Sequence, residues 1–245
     1  MKYVYDGTFS GFLTTVYEAY YHGISSLESV VRQEVGLDLF GDGMSVTTNT
    51  GKAEKVADAF FKACGGPAFR WLYRAFLCED RREDLLLDYI RKGFILKKDI
   101  YASQKQIWVW EILTRARKTG NEAEKWRGIL RFSELEEGML YASVRPTHDV
   151  LPLIVRHFQK RLPEEEWAIH DIRRNTAAYY DGTHIEIVRV ENPDLHPRHS
   201  GTEEEFRNLW RGYWKHMAIE ERRNPDLQRS FLPKKYWSCL TEMSR

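Results

Sequence analysis

Residues 167–190 read WAIHDIRRNTAAYYDGTHIEIVRV, and this stretch decides the fold. Alternation of residue types along Trp167–Asp171, Thr176–Tyr180 and His184–Val190 predicts three short strands. The dipeptide Asp181-Gly182 is typical of a hairpin turn, because both residues tolerate the positive φ that tight turns need. We therefore expect these strands to belong to an antiparallel sheet.

The same sheet is expected to extend toward the N-terminus. Further strands are predicted at Leu130–Phe132 and Met139–Val144, with Glu137-Gly138 as a turn between them. A helix from about Asp149 to Arg161 has one apolar face that is suited to pack on a sheet. A second amphipathic stretch, from Phe206 to Met217, predicts a long C-terminal helix.

The N-terminal half follows a helical period instead. Tyr3–Tyr5 reads as a short strand, and apolar residues at i, i+3, i+4 and i+7 then predict a series of helices. Residues from Ile24 to Val46 are interpreted as a weaker helical stretch followed by a Gly-rich turn. The expected helices begin near Phe9, Ala53, Pro67, Leu85 and Gln104, and the last of them is expected to end at Arg117.

These patterns predict an α+β protein, with an N-terminal helical region followed by a small antiparallel sheet, a helix packed on it and a long C-terminal helix. Residues 1–128 are expected to be mainly helical. Residues 129–245 are expected to hold the sheet, the C-terminal helix and a basic aromatic tail. The two regions form either separate domains or one integrated domain.

Composition excludes several classes of protein. Of 245 residues, 42% are apolar and 30% are charged, as in ordinary globular proteins. The sequence contains neither an apolar run of signal-peptide length nor a run of about 18 uncharged apolar residues. Three widely spaced cysteines indicate neither a disulfide framework nor a cysteine zinc site. We expect a cytoplasmic protein with reduced thiols.

Nucleic-acid binding would depend on local clusters of charge, because the net charge is only +1. Residues 97–131 hold nine Lys and Arg against four Asp and Glu, and residues 215–245 hold seven against four. Basic and aromatic residues are interleaved in the tail, which suits phosphate contact and base stacking on single-stranded or distorted DNA. The alternative is a tail whose rings dock on the core and whose charges are solvated. The tail candidates are Arg229, Lys234, Lys235, Tyr236 and Trp237.

Two arginine pairs are further candidates for nucleic-acid contact. Arg70 and Arg74 are one helical turn apart, where they can grip a phosphate or pair with the acidic residues at 79–84. Arg173 and Arg174 lie between two predicted strands. There they can reach a phosphate or a groove, or form an ordinary turn.

Signals for catalysis are sparse. His196 and His199, with His170 and His184 nearby, do not have the spacing of a known zinc motif. Carboxylates around the sheet, among them Asp171, would be the minimum for a magnesium-dependent nuclease, but no nuclease spacing is present. Motifs for dinucleotide binding and for a nucleophile elbow are missing. We expect no metal and no cofactor, and we favour a protein that is not an enzyme.

Three segments carry a resemblance to a known family and together span nearly the whole chain. They resemble a bacterial family described as probable DNA-metabolism proteins. The resemblance implies pairing with a radical-SAM protein thought to modify or repair DNA and, in some members, fusion to a uracil-DNA glycosylase domain. The segments are YDGTFSGFL at 5–13, the stretch 131–174 with His157-Phe158 and Asp171-x-Arg173-Arg174, and QRSFLPKKYW at 228–237.

The sequence has no C-x-x-x-C-x-x-C signature for an iron–sulfur cluster. The resemblance therefore implies that the catalytic partner is another polypeptide. It transfers no catalytic residue, but it implies a contact surface that includes Asp171, Arg173, Arg174, Lys234 and Trp237.

The leading hypothesis is a DNA-repair or DNA-modification accessory protein. It would bind DNA, including single-stranded or damaged DNA, or present it to the radical-SAM partner. One alternative is a nuclease-like enzyme using carboxylates near the sheet, and another is a scaffold that contacts only protein. No membrane association is expected.

Overall fold

The computed structural model describes residues 2–21, 29–32, 43–190, 198–217, 224–241 and 243. The chain divides into two compact units, residues 1–120 and 121–245. Each unit contains a β-sheet and helices, which confirms the α+β class. None of the described helices is long and apolar enough to cross a membrane.

The first unit contains a small parallel sheet. β1 (Lys2–Tyr5) lies between β2 (Ser29–Arg32) and β3 (Gly43–Ser45) and runs parallel to both. Helix α1 (Phe9–Tyr21) follows β1, and helix α2 (Thr50–Cys64) follows β3. The remaining helices are α3 (Gly66–Phe76), α4 (Glu83–Leu96), a 3-10 helix (Lys97–Lys105) and α5 (Ile107–Ile129).

The helix expected between Ile24 and Val46 is wrong where the structure describes that stretch. Ser29–Arg32 and Gly43–Ser45 are strands that pair with β1. Val30 and Val31 are β-branched, a residue type that favours extended backbone when a neighbouring strand is available. Residues 24–28 and 33–42, including the start of the expected Gly-rich turn, lie outside the described residues.

Helix α5 is longer than the sequence pattern indicates. It was expected to end at Arg117, before the polar stretch that contains Gly120, but it continues to Ile129. Its last turns carry Ala123 and Trp126, both buried in the core of the second unit. Burial of this face outweighs the weak helix propensity of Gly120 and Gly128.

The second unit is built on a five-stranded sheet in the order β4-β5-β6-β7-β8. The sheet is mixed rather than wholly antiparallel, because β5 and β6 are parallel. Helix α6 (Leu151–Arg161) joins these two strands as a crossover, which returns the chain to the edge where β5 began. The strands are β4 (Ser133–Glu134), β5 (Leu140–Val144), β6 (Trp167–Asp171), β7 (Thr176–Tyr180) and β8 (Ile185–Arg189).

One face of this sheet forms the core of the second unit. Trp167 and Ile169 of β6 pack with Ile154 and Phe158 of α6 and with Trp126 at the end of α5. The apolar face expected for the helix is therefore confirmed. The chain continues with α7 (Gly201–Met217), α8 (Pro225–Phe231) and a 3-10 helix (Lys234–Cys239).

Candidate functional site

Three basic side chains that the sequence singles out meet at one residue, Thr147. Arg173 Nη1 and Arg174 Nη2 donate to the Thr147 carbonyl oxygen at 3.3 and 2.6 Å. Lys235 Nζ donates to Thr147 Oγ1 at 2.8 Å. We call Glu122, Thr147, Asp171, Arg173, Arg174 and Lys235 the Thr147 cluster.

The sheet topology positions this cluster. β5 and β6 run parallel and end side by side, with Val144 paired to Asp171. Thr147 follows the end of β5, and Arg173 and Arg174 follow the end of β6. The carboxyl ends of adjacent parallel strands are a recurrent place for ligand sites in α/β proteins. The two loops are neighbours because of the parallel pairing, which the sequence pattern did not predict.

Asp171 organises the turn that carries the two arginines. Its fully buried carboxylate accepts hydrogen bonds from the Arg173 and Arg174 amides at 3.0 and 3.3 Å and from Arg174 Nη1 at 2.9 Å. Asn175 closes the turn with a φ of 51°, in the left-handed region that Asn tolerates better than most residues. Arg174 Nη1 also donates to the Pro146 carbonyl oxygen at 3.2 Å. Arg174 therefore holds the two loops together.

Glu122 is the second buried acid of the cluster, with 5% of its surface exposed. Its carboxylate accepts from the Thr147 and His148 amides at 3.0 and 2.7 Å and from Lys235 Nζ at 2.7 Å. Burial raises the pKa of this carboxyl, but the hydrogen bonds from Lys235 and the two amides outweigh burial and hold the pKa below its usual range. Glu122 is therefore a carboxylate at neutral pH.

Lys235 is held by Glu122 but remains accessible. Burial lowers the pKa of Lys235, but the neighbouring carboxylate more than compensates and raises it above its usual range. The Lys235 side chain is 46% exposed. A lysine ammonium has three N–H donors, and Glu122 and Thr147 accept two of them. Lys235 Nζ also lies 4.8 Å from the centroid of the Tyr236 ring.

The other candidates of the tail behave differently from Lys235. Tyr236 is buried, with its ring centroid 5.0 Å from that of Trp126 and its hydroxyl donating to Glu122 at 3.3 Å. Trp237 is half-buried and donates from Nε1 to the Leu232 carbonyl oxygen at 2.9 Å. Lys234 is exposed. The Tyr236 ring is not presented for base stacking, because core packing occupies it.

Arg229 lies outside the cluster. It forms an ion pair with Asp226, three residues earlier on α8, and donates from Nε to the Pro225 carbonyl oxygen at 3.1 Å. Both partners belong to the same short helix, so this arginine is satisfied by its own turn.

The first arginine pair lies in the other unit, on α3. Arg70 is exposed. Arg74 instead packs against α5, where a Cβ added at Gly120 would lie 3.0 Å from Arg74 Nη1. Arg74 Nε is buried and has no hydrogen-bond partner among the described residues. The two guanidinium groups are therefore not presented together.

Sequence reasoning missed Glu122 and Thr147 as site residues. Glu122 was counted only as one charge of the basic stretch 97–131. A signal was available, because Glu122 shares a helical face with Ala123 and Trp126, and a carboxylate in an apolar stripe needs a buried partner. Thr147 had no comparable signal, since its contacts are with residues that are distant in sequence.

The structure shows no metal site within the described ranges. In that part of the chain no three His, Cys, Asp or Glu residues are grouped so as to hold a metal ion. His196, one of the histidines singled out in the sequence, lies outside these ranges. His170 is buried on β6, and His199 forms an isolated bridge with Leu135.

Comparison with known proteins identifies a family without assigning a function. No curated protein and no solved structure matches the chain. A family model described as a domain of unknown function, DUF4130, matches residues 80–242, about two thirds of the sequence. The chain therefore belongs to the DUF4130 family.

Proposed function

We propose that this protein is a DNA-binding accessory factor that holds DNA by its phosphates and presents it to a partner enzyme. The observation that carries the proposal is the meeting of Arg173, Arg174 and Lys235 at Thr147. Cations fixed by a folded scaffold bind phosphates without first losing side-chain freedom, which favours affinity.

The placement of charge within the cluster supports phosphate binding. The acids Glu122 and Asp171 are buried and engaged by internal donors. Arg173 and half of the Lys235 side chain are exposed. Arg145, two residues before Thr147, is also exposed. Three cations, Arg145, Arg173 and Lys235, are therefore exposed at the cluster, with the half-buried Asp149 nearby.

The partner in this proposal is a radical-SAM protein that modifies or repairs DNA in the cytoplasm. The resemblance to probable DNA-metabolism proteins supports this part of the proposal. The cysteines agree with an enzyme on another polypeptide, because Cys64 and Cys78 are buried and Cys239 is half-buried. Burial also raises the pKa of the Cys64 thiol to about 11, so this thiol is protonated at neutral pH.

A nuclease receives less support from the geometry. The Asp171 carboxylate, its expected centre, already accepts from two amides and from Arg174. The described residues also contain no group of acids positioned to hold a cation. We therefore do not propose nuclease activity.

Fluorescence anisotropy with labelled single-stranded and double-stranded DNA, over a range of salt concentrations, tests the proposal. We expect micromolar or tighter binding that weakens as salt rises, and a loss of about tenfold in affinity for Arg173→Glu. Lys160→Glu is the matched control, because this exposed residue lies at the far end of α6 and its reversal should leave affinity unchanged. If the protein binds neither single-stranded nor double-stranded DNA at low salt, the proposal is overturned.

A further inference from the structure

Helix α7 exposes an apolar stripe to solvent. Phe206, Leu209, Tyr213 and Met217 recur at helical spacing, and between 57% and 69% of the surface of each residue is exposed. A surface helix normally turns such a stripe toward the core of its own unit. A contiguous exposed apolar surface is typical of a site that another protein covers.

Polar contacts fix this orientation of α7 within the second unit. Glu203 accepts from the Glu134 amide at 3.2 Å, and Arg207, one turn later, donates from Nη2 to Ser133 Oγ at 2.6 Å. Leu209 follows Arg207 by two residues, about 200° around the helix, so it lies on the opposite side. The helix therefore docks on its unit through polar side chains, and Leu209 faces away.

The side of α7 that faces away is complementary to itself when the helix is reversed. It carries Glu205, Leu209, Gly212 and His216, which are spaced by four, three and four residues. This is the spacing of the contact positions in paired helices. Against a second, antiparallel α7, Glu205 meets His216 of the second copy and Leu209 meets its Gly212. An acid then faces a base, and a large side chain faces a gap.

Gly212 provides the gap. A Cβ added there would meet no side chain or neighbouring segment within 4 Å among the described residues. Glycine weakens a helix interior, and no packing in the described part of the chain requires it at this position. The missing side chain allows a second helix to approach closely, and Leu209, which is 69% exposed, has the size to fill the space.

Charge favours the antiparallel direction over the parallel one. Residues 203–205 are all Glu, whereas Lys215 and His216 lie in the last turn. His216 Nδ1 lies 2.8 Å from the Gly212 carbonyl oxygen, which holds the ring beside the stripe. A protonated histidine keeps this bond and donates from Nε2 to a carboxylate. In a parallel pair, each end of α7 would instead meet its like, and like charges repel.

We propose that two copies of this chain associate through α7, which pairs antiparallel with α7 of the second copy. Leu209 packs over Gly212 of the second copy, and Glu205 pairs with its His216. The exposed ring of Phe206 is then covered by Tyr213 of the second copy. The same surface is used on both copies, as in the commonest class of homodimer. This inference does not depend on DNA binding.

Sedimentation velocity of the full chain over a wide range of protein concentrations tests the dimer. We expect a reversible equilibrium between monomer and dimer. Leu209→Glu should weaken it at least about a hundredfold, because burial of each of the two leucines is worth about 10-fold or more in an equilibrium constant. Tyr20→Glu, which removes an 81% exposed ring on α1, is the matched control and should dimerise normally.

A charge reversal tests the direction of pairing. Glu205→Lys places like charges opposite His216 of the second copy and should weaken the dimer, whereas adding His216→Glu reverses the pair and should restore it. If the double variant does not recover, the antiparallel pairing is refuted. A chain that stays monomeric at all concentrations, or a dimer that Leu209→Glu leaves intact, would overturn the proposal. Circular dichroism of each variant shows whether a lost dimer reflects a loss of folding.

Discussion

Two ion pairs in the C-terminal half place the same kinds of charge in very different surroundings. Lys235 and Glu122 are 113 residues apart in sequence and meet at 2.7 Å, with the acid almost completely buried. Arg229 and Asp226 are three residues apart on α8, and the Asp226 side chain is 90% exposed. From the sequence, Lys235 and Arg229 were equal candidates for DNA contact.

The comparison shows that solvent exposure, rather than the kinds of charge involved, decides how much an ion pair contributes to stability. An exposed pair is screened by water and contributes between about 0 and 1 kcal/mol. Where the acid of a pair is buried, removing it leaves its donors without their charged acceptor and costs about 1.5–3 kcal/mol for each such hydrogen bond. Only the buried pair also fixes the backbone of a second segment, through the Thr147 and His148 amides.

The largest effect is expected from Glu122→Ala. This change removes the acceptor of Lys235, of Tyr236 and of two backbone amides. Because the two amides alone lose about 1.5–3 kcal/mol each, we expect the free energy of unfolding to fall by about 3–5 kcal/mol. Urea denaturation followed by circular dichroism measures it. A loss below about 1 kcal/mol would show that water replaces these contacts and that the two pairs are equivalent.

Asp171→Ala should have the next largest effect. The fully buried carboxylate accepts from two amides and from Arg174, and loss of a hydrogen bond to a charged group costs about 1.5–3 kcal/mol. The same change should weaken DNA binding, because Arg173 loses the turn that positions it. Urea denaturation and anisotropy separate the two effects. If stability falls while DNA binding is unchanged, the turn does not contribute to the proposed DNA site.

Lowering the pH should remove the stabilisation that the Glu122 carboxylate provides. The pKa of Glu122 is lower in the folded protein than in the unfolded chain, so its stabilisation is complete above the unfolded value of about 4.3 and is lost as pH falls through the folded value. The difference in unfolding free energy between the unmodified protein and Glu122→Gln should therefore shrink between pH 7 and pH 3.5. A difference that stays constant or grows would contradict the role of the charged form.

Asp226→Ala should have the smallest effect. It breaks an exposed pair within one turn of α8, so the free energy of unfolding should change by no more than about 0.5 kcal/mol. The same urea titration measures it beside Glu122→Ala. A loss of unfolding free energy close to that of Glu122→Ala would show that the two ion pairs contribute equally to stability.

Much of the fold follows from local pattern. Trp167–Asp171 and Thr176–Tyr180 are strands with the predicted bounds, and α6 packs the predicted face on the sheet. The parallel pairing of β5 with β6 did not follow, since residue alternation is the same in both orientations. The length of α5 did not follow either, because burial of Trp126 outweighed the polar residues before it.

The candidate site was predictable only in part. Arg173, Arg174 and Lys235 were singled out by charge and by a family resemblance, but nothing in their spacing joined them. Arg70 and Arg74 were singled out by charge and helical spacing alone, and the structure does not present them together because Arg74 packs against Gly120.

The sequence by itself determined strands β5 to β8 and helix α6 of the second unit, and the basic residues of the site. Helical stripes, strand alternation and turn residues are local signals, because each depends only on residues that are close in sequence. Only the tertiary structure decided which charges are buried and which meet at Thr147. Their contacts with Thr147 and Glu122 join residues that are 25 to 113 positions apart. Hydrogen bonds between residues so far apart produce no periodic pattern in the sequence.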